Sequence, residues 1–194
     1  MAKQVQSAPA PIRKLVALLA KSGGFRPLDL GVLKVALMFA AVDGKVIGRE
    51  IAMFGRMARK CRGWTPEAEA KALEAGLRSA GYLQLQSFRL GERQLVELFV
   101  QEAVRALPRN FARRNVFEQR RAFVMWALMC GADLMPTRIE FKCALALRNR
   151  LGLESHITTS FFREIHRQFA RLFDEETCDD AAKVFKTFID VDVL

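Results

Sequence analysis

Apolar side chains recur every three or four residues along most of the chain, which is the spacing of one face of an α-helix. No segment shows the apolar–polar alternation typical of a half-buried strand, so we predict an all-α fold. The pattern predicts about nine helices, at residues 11–24, 28–42, 49–61, 65–81, 91–107, 115–132, 137–152, 160–173 and 178–189.

Residues at the predicted helix starts support these boundaries. Thr65 directly precedes Pro66, and Glu67 and Glu69 follow in the first turn, which is the pattern of an N-cap residue and the helix start after it. Thr137 and Glu140 have the T-x-x-E spacing of a capping box, and Asn115 and Glu118 share that spacing. We expect the helices to pack around a core that includes Leu37, Phe39, Phe54, Met57, Val124, Leu128, Leu145 and Leu147.

The helical pattern repeats with an offset of about ninety residues. Residues 28–42 overlay the helix around 118–132, and residues 49–61 overlay 139–151. A long period with only two copies indicates two similar four-helix halves, roughly 28–107 and 115–190. We predict one all-helical domain over residues 12–194, preceded by a flexible N-terminal tail at residues 1–11.

Each half has an aspartate followed seven residues later by a glutamate, at the turn between two apolar helices. The pairs are Asp43 with Glu50, and Asp133 with Glu140. One interpretation is that these carboxylates form the turns and cap the next helices. The other is a cation site, although a hard cation such as Ca²⁺ takes about six to eight oxygens. Two carboxylates per turn suffice only if the turns converge or other oxygens help.

The same two turns carry a resemblance to a known family. The stretches "LMFAAVDGKVIGREIAMFGRMA" and "WALMCGADLMPTRIEFKCALALRNRLGL" resemble the TerB-like tellurite-resistance family, which is similar to the central region of DjlA-type cochaperones. The resemblance covers roughly Leu28 to Phe173. It implies a TerB-like helical bundle in a stress or envelope response. It also implies a divalent metal ion bound by acidic residues near the turns, which correspond here to Asp43, Glu50, Asp133 and Glu140.

Two positions depart from the family pattern. Leu134 replaces the usual glycine of the second turn, and Ile47 replaces the usual Ser or Thr of the first. No His-Pro-Asp tripeptide is present, which excludes a complete cochaperone.

Two cysteines flank the second acidic pair. Cys130 precedes Asp133 by three residues, and Cys143 follows Glu140 by three. Together the four side chains could hold zinc. The corresponding positions of the first half are both apolar, which favours buried core residues instead.

Charge adds a second candidate function. The net charge is +10, but residues 174–194 carry −5 and residues 1–173 carry +15. Six arginines lie between residues 105 and 121, interleaved with phenylalanines, as in binders of nucleic acid or of an anionic membrane surface. The alternative is a solvated linker whose aromatic rings lie in the core. Candidate anion-binding residues are Arg113, Arg114, Arg120, Arg121, Arg163, Arg167 and Arg171.

Other motifs are informative by absence. The sequence contains no phosphate loop, nucleophile elbow or HExxH, so we predict that the protein is not an enzyme. The longest apolar run has eleven residues, against about 20 for a transmembrane helix, and no secretory signal is evident. Four scattered cysteines favour the cytoplasm. We therefore expect a non-enzymatic module that scaffolds or senses and that binds another protein, or alternatively a basic adaptor.

Overall fold

Six α-helices account for most of the residues that the computed structural model describes, which are 30–44, 46, 48–59, 61–130, 137–161 and 163. No strand occurs among these residues, so the all-α prediction is confirmed. The helices are α1 (Leu30–Ala41), α2 (Gly48–Ala58), α3 (Pro66–Ser87), α4 (Glu92–Ala106), α5 (Val116–Cys130) and α6 (Arg138–Arg150), with a 3₁₀ turn at Phe111–Arg113.

Three predicted helices, at 11–24, 160–173 and 178–189, lie wholly or mostly outside the described residues, as does the predicted tail. The number nine therefore stays a prediction.

Helix α1 lies at the centre of the described helices. It packs most extensively on α3 and α5, and it also contacts α2, α4 and α6. Nine of its twelve residues are buried, as expected for a helix whose only charged residue is Lys34. The core prediction is confirmed for Leu37, Phe39, Phe54, Met57, Val124 and Leu147, which are buried, whereas Leu145 is partly buried against the core. The side chain of Leu128 lies outside the description.

An aromatic cluster joins the two halves of the sequence. Phe39 of α1 lies 4.5 Å from Phe99 and 5.5 Å from Trp126 between ring centroids. Phe123 packs edge-on against Trp126 at 4.7 Å. The Trp126 indole N–H donates a hydrogen bond to the backbone oxygen of Val32 over 3.0 Å. Because Trp126 is buried, this bond satisfies its only polar group and fixes α5 against α1.

The predicted helix starts are confirmed, with one difference in detail. The Thr65 hydroxyl accepts from the N–H of Ala68 at 3.1 Å. The Asn115 side chain caps α5 by accepting from the N–H of Phe117 at 2.9 Å, one residue earlier than in a capping box.

The predicted helix ends are less accurate. α6 ends as predicted, with Gly152 at φ +66°, in a Schellman arrangement that joins Leu153 N–H to the Arg148 oxygen. α3 continues past the predicted stop at Gly81 as far as Ser87. Its buried face continues through Leu83, and this packing outweighs the preference of glycine for a turn.

The repeat stays a prediction, although two pairs of helices have its spacing. α1 and α2 are offset from α5 and α6 by about ninety residues, in agreement with the prediction. The third and fourth helices of the second half fall outside the described residues, so the full repeat stays a prediction. No helix in the described part of the chain is both long and apolar enough to cross a membrane.

Candidate functional site

The two glutamates of the acidic pairs begin equivalent helices. Glu50 lies in the first turn of α2 and Glu140 in the first turn of α6, where backbone N–H groups favour negative charge. Both residues are nearly inaccessible, with exposed fractions of 2% and 4%. Carboxylates are rarely this buried unless they are bonded or protonated. Their burial therefore requires hydrogen bonds to the carboxylates or protonation.

Glu140 forms the predicted capping box with Thr137. Its Oε2 accepts from the Thr137 N–H at 2.5 Å and from the Thr137 hydroxyl at 2.8 Å. In return the Glu140 N–H donates to the Thr137 hydroxyl oxygen at 3.4 Å. The Cys130 thiol provides a further hydrogen bond to the carboxylate. The capping interpretation of Glu140 is thus confirmed by its bonds.

Described residues that flank the two acidic turns act electrostatically on one another. Burial raises the pKa of Glu140 to about 8; the charge of Asp43 adds to this rise, while the bonds from Thr137 and Cys130 oppose it. The charges of Glu140 and Glu50 both act on Cys130. We name Asp43, Glu50, Cys130, Glu140 and Cys143 the acidic centre. Charged residues that flank the two acidic turns therefore act on common partners.

The thiols of the acidic centre are in their unreactive form. Burial raises the pKa of Cys130 and of Cys143, and neighbouring carboxylate charge raises both further. Zinc binds the thiolate and not the thiol, so this environment does not prepare either sulfur as a ligand. Both cysteines are free and buried, as the apolar residues at the matching positions of the first half suggested.

The described residues do not fit a metal site. No group of three or more His, Cys, Asp or Glu side chains in the described part of the chain has metal-binding spacing. The Oε2 atom of Glu140 already accepts two hydrogen bonds from Thr137. Asp43 is half-buried in the turn after α1, where Gly44 adopts φ +91°. Asp133, the fourth predicted ligand, lies outside the described residues.

The predicted anion-binding arginines have different environments. Arg113 and Arg163 are exposed. Arg114 lies 3.8 Å from Glu118, and the Arg120 side chain donates to the backbone oxygen of His156 at 2.8 Å. Arg121 is only 4% exposed, and burial lowers its pKa. Arg167 and Arg171 are outside the described residues. Arg121 is thus poorly placed for a surface phosphate, and Arg120 supports a loop.

One polar residue that sequence reasoning missed organises the arginine-rich segment. The buried Gln119 side chain donates from Nε2 to the backbone oxygens of Phe111, Ala112 and Arg114, at 3.3, 3.0 and 3.0 Å. A signal was available in the sequence. Gln119 precedes Phe123 by four residues and Trp126 by seven, so it shares the core face of α5.

Comparisons of the chain with protein-family models, with curated proteins and with solved structures find no match in any of the three. The TerB-like resemblance therefore stays a prediction that rests on the residues of the two acidic turns.

Proposed function

We propose that the chain is a non-enzymatic, TerB-like helical module that senses or scaffolds in a cytoplasmic stress response, with the acidic centre as the element that responds to cations. One observation supports this proposal above the others. Glu50 and Glu140, ninety residues apart in the sequence, are both buried at helix starts and both act on Cys130. The stress response itself follows from the family resemblance.

A cation would change the packing of the halves through this centre. Buried carboxylates in range of each other repel when both are ionised, and a bound cation removes that repulsion. α2 contacts α5, and α1 contacts α6, so Glu50 and Glu140 belong to helices that contact the other predicted half. Binding of a cation is therefore linked to the stability of this contact.

The proton is the cation for which the described residues suffice. Glu140 binds a proton in a buried, bonded position without any further ligand. A divalent metal ion, which the resemblance implies, would need Asp133 together with backbone or water oxygens to approach a full coordination shell. The thiols are buried and protonated, which supports a structural role for them and agrees with a non-enzymatic module.

Thermal melting of the full chain tests the proposal. We expect the wild-type protein to melt at a higher temperature at about pH 6 than at about pH 9, because protonation of the acidic centre stabilises the folded state. Glu140→Gln should remove most of that difference, and Asp43→Asn should reduce it, because the charge of Asp43 raises the pKa of Glu140. The matched control is Glu74→Gln, since Glu74 is exposed and paired with Arg78 on the surface of α3.

Divalent ions give the complementary measurement. We expect millimolar Mg²⁺ or Ca²⁺ and micromolar Zn²⁺ to shift the wild-type melting temperature very little, because the described residues do not form a metal site. A shift of several degrees that Asp43→Asn abolishes would make a metal the relevant cation. A pH response that is equal in the wild type, both centre variants and the control would contradict the proposal as a whole.

A further inference from the structure

Residues 105–117 comprise the end of α4, the connection to α5 and the first residues of α5, and they have a composition and a geometry that the acidic centre does not explain. They contain four arginines and two phenylalanines, and no acidic residue. We propose that this segment, named here the arginine segment, binds single-stranded nucleic acid. The proposal is independent of the cation response, since none of its residues belongs to the acidic centre.

The arginine segment is held in place by two buried side chains. Phe111 is buried and its ring lies 6.0 Å from that of Trp126, so the segment is anchored in the core at its midpoint. Gln119 donates to three of the segment's backbone oxygens. A segment that is already ordered loses little conformational freedom when it binds a ligand. The anchored backbone therefore presents its outward side chains in a fixed arrangement.

Two arginines of the arginine segment are available for phosphates. Arg105 pairs with Glu102 at 2.5 Å, and Arg114 lies 3.8 Å from Glu118. Arg109 and Arg113 are exposed, and neither forms an ion pair with any carboxylate among the described residues. The planar guanidinium group donates two parallel hydrogen bonds to a phosphate. Arg109 and Arg113 are therefore accessible to the phosphates of a flexible strand.

Phe117 adds a surface on which a base can stack. It is the only large apolar residue of the arginine segment with substantial exposure, at 37%, because Leu107 and Phe111 are buried. Its backbone N–H is fixed by the Asn115 side chain. Stacking on an aromatic ring is a main source of affinity in proteins that bind single strands.

This arrangement favours a single strand over the other polyanions. A duplex keeps its bases stacked inside, so Phe117 would have no partner there. A membrane surface binds apolar area together with basic charge, and one half-exposed ring offers little area. Only a single strand offers both accessible phosphates and unstacked bases to this set of side chains.

Binding of the full chain to a labelled oligothymidylate, followed by fluorescence anisotropy at low salt, tests the proposal. We expect Arg109→Ser combined with Arg113→Ser to weaken binding about tenfold or more, and to reduce the log–log salt slope by about 0.7 for each phosphate that the protein no longer neutralises. Phe117→Ser should weaken binding while it leaves the salt slope nearly unchanged, since it removes stacking and no charge.

The matched control is Arg89→Ser combined with Arg93→Ser. It removes the same charge at the other end of α4, which spans fifteen residues or roughly 22 Å. The control should bind almost as the wild type does. Equal weakening by both double variants would show a response to net charge alone and overturn the site. So would an absence of binding at low salt, or tighter binding to phosphatidylserine vesicles or duplex DNA than to the oligonucleotide.

Discussion

Glu140 is held by hydrogen bonds that favour its charged form and by burial that favours its neutral form. Burial is the larger effect, so its pKa in the folded protein is about 8, above the ordinary value of 4.5. Between these two values the folded state binds a proton that the unfolded state has lost. The free energy of unfolding therefore decreases as pH rises through this range, and the stabilisation is complete only below about pH 4.5. The total effect is on the order of several kcal/mol at most, since one pKa unit corresponds to about 1.4 kcal/mol.

Denaturant unfolding at a series of pH values measures this dependence. Glu140→Gln, which cannot ionise, should flatten the curve between about pH 5 and pH 8. Thr137→Val should lower stability at every pH by about 1 kcal/mol through loss of the cap. The Thr137 hydroxyl lowers the pKa of Glu140, so its loss should raise that pKa. The decrease in the free energy of unfolding should therefore continue to higher pH in Thr137→Val. Identical slopes for the wild type and Glu140→Gln would exclude Glu140 as the titrating group.

Local bonds at single residues were predictable, whereas burial was not. The T-x-x-E spacing predicted the bond between Thr137 and Glu140 because both residues lie within one helical turn. Burial of Glu50 and Glu140 depends on contacts between helices far apart in the sequence. Contacts between distant helices also determine the burial of Arg121. In the sequence it is part of a basic run and resembles a surface cation, but in the structure it is buried near Glu118 and Cys61.

Two glycines of α3 provide a test at the scale of the helix. A methyl group at Gly76 would lie 2.8 Å from Cδ1 of Leu37, which is fully buried in α1. At Gly81 nothing lies within 4 Å of the added carbon. Alanine improves helix propensity at either site by about 1 kcal/mol, but overpacking at Gly76 costs about 1–3 kcal/mol.

We therefore expect Gly81→Ala to raise the melting temperature and Gly76→Ala to lower it. Differential scanning calorimetry of the two variants, with helix content checked by circular dichroism, gives the comparison. A stabilising effect of both substitutions would mean that α1 and α3 do not pack closely at Gly76.

Helix existence was easier to predict than helix ends. The described helices appear where the apolar period predicted them, because α2 to α6 each bury an apolar face and α1 is buried on nearly all sides. The predicted end of α3 was wrong by several residues, because Gly81 resembles a residue at which a helix stops. Leu83 remains buried beyond it, and packing on α1 keeps the helix intact. Local signals and tertiary packing agreed at Gly152, where the backbone needs a positive φ.

At the scale of the molecule, the sequence predicted one domain of two related halves. The contacts of α1 give a physical basis for treating the described helices as one unit. α1 packs on α3 and α4 from its own half and on α5 and α6 from the other. This central position could not be predicted from the helical period, which shows only that α1 is apolar on nearly all sides. The partners of such a helix depend on three-dimensional packing.

Because α1 packs against helices of both halves, one half should not unfold while the other stays folded. We therefore expect unfolding to be a single transition. The protein has two tryptophans, of which Trp126 is buried between α1 and α5 and Trp64 is 38% exposed. In a Trp64→Phe background, Trp126 fluorescence reports on the contact between the halves, while circular dichroism reports on all helices. We expect the two signals to change at the same denaturant concentration, as in two-state unfolding. If fluorescence changed at clearly lower denaturant than helix content, the halves would separate before they unfold, and the shared helix α1 would not couple them.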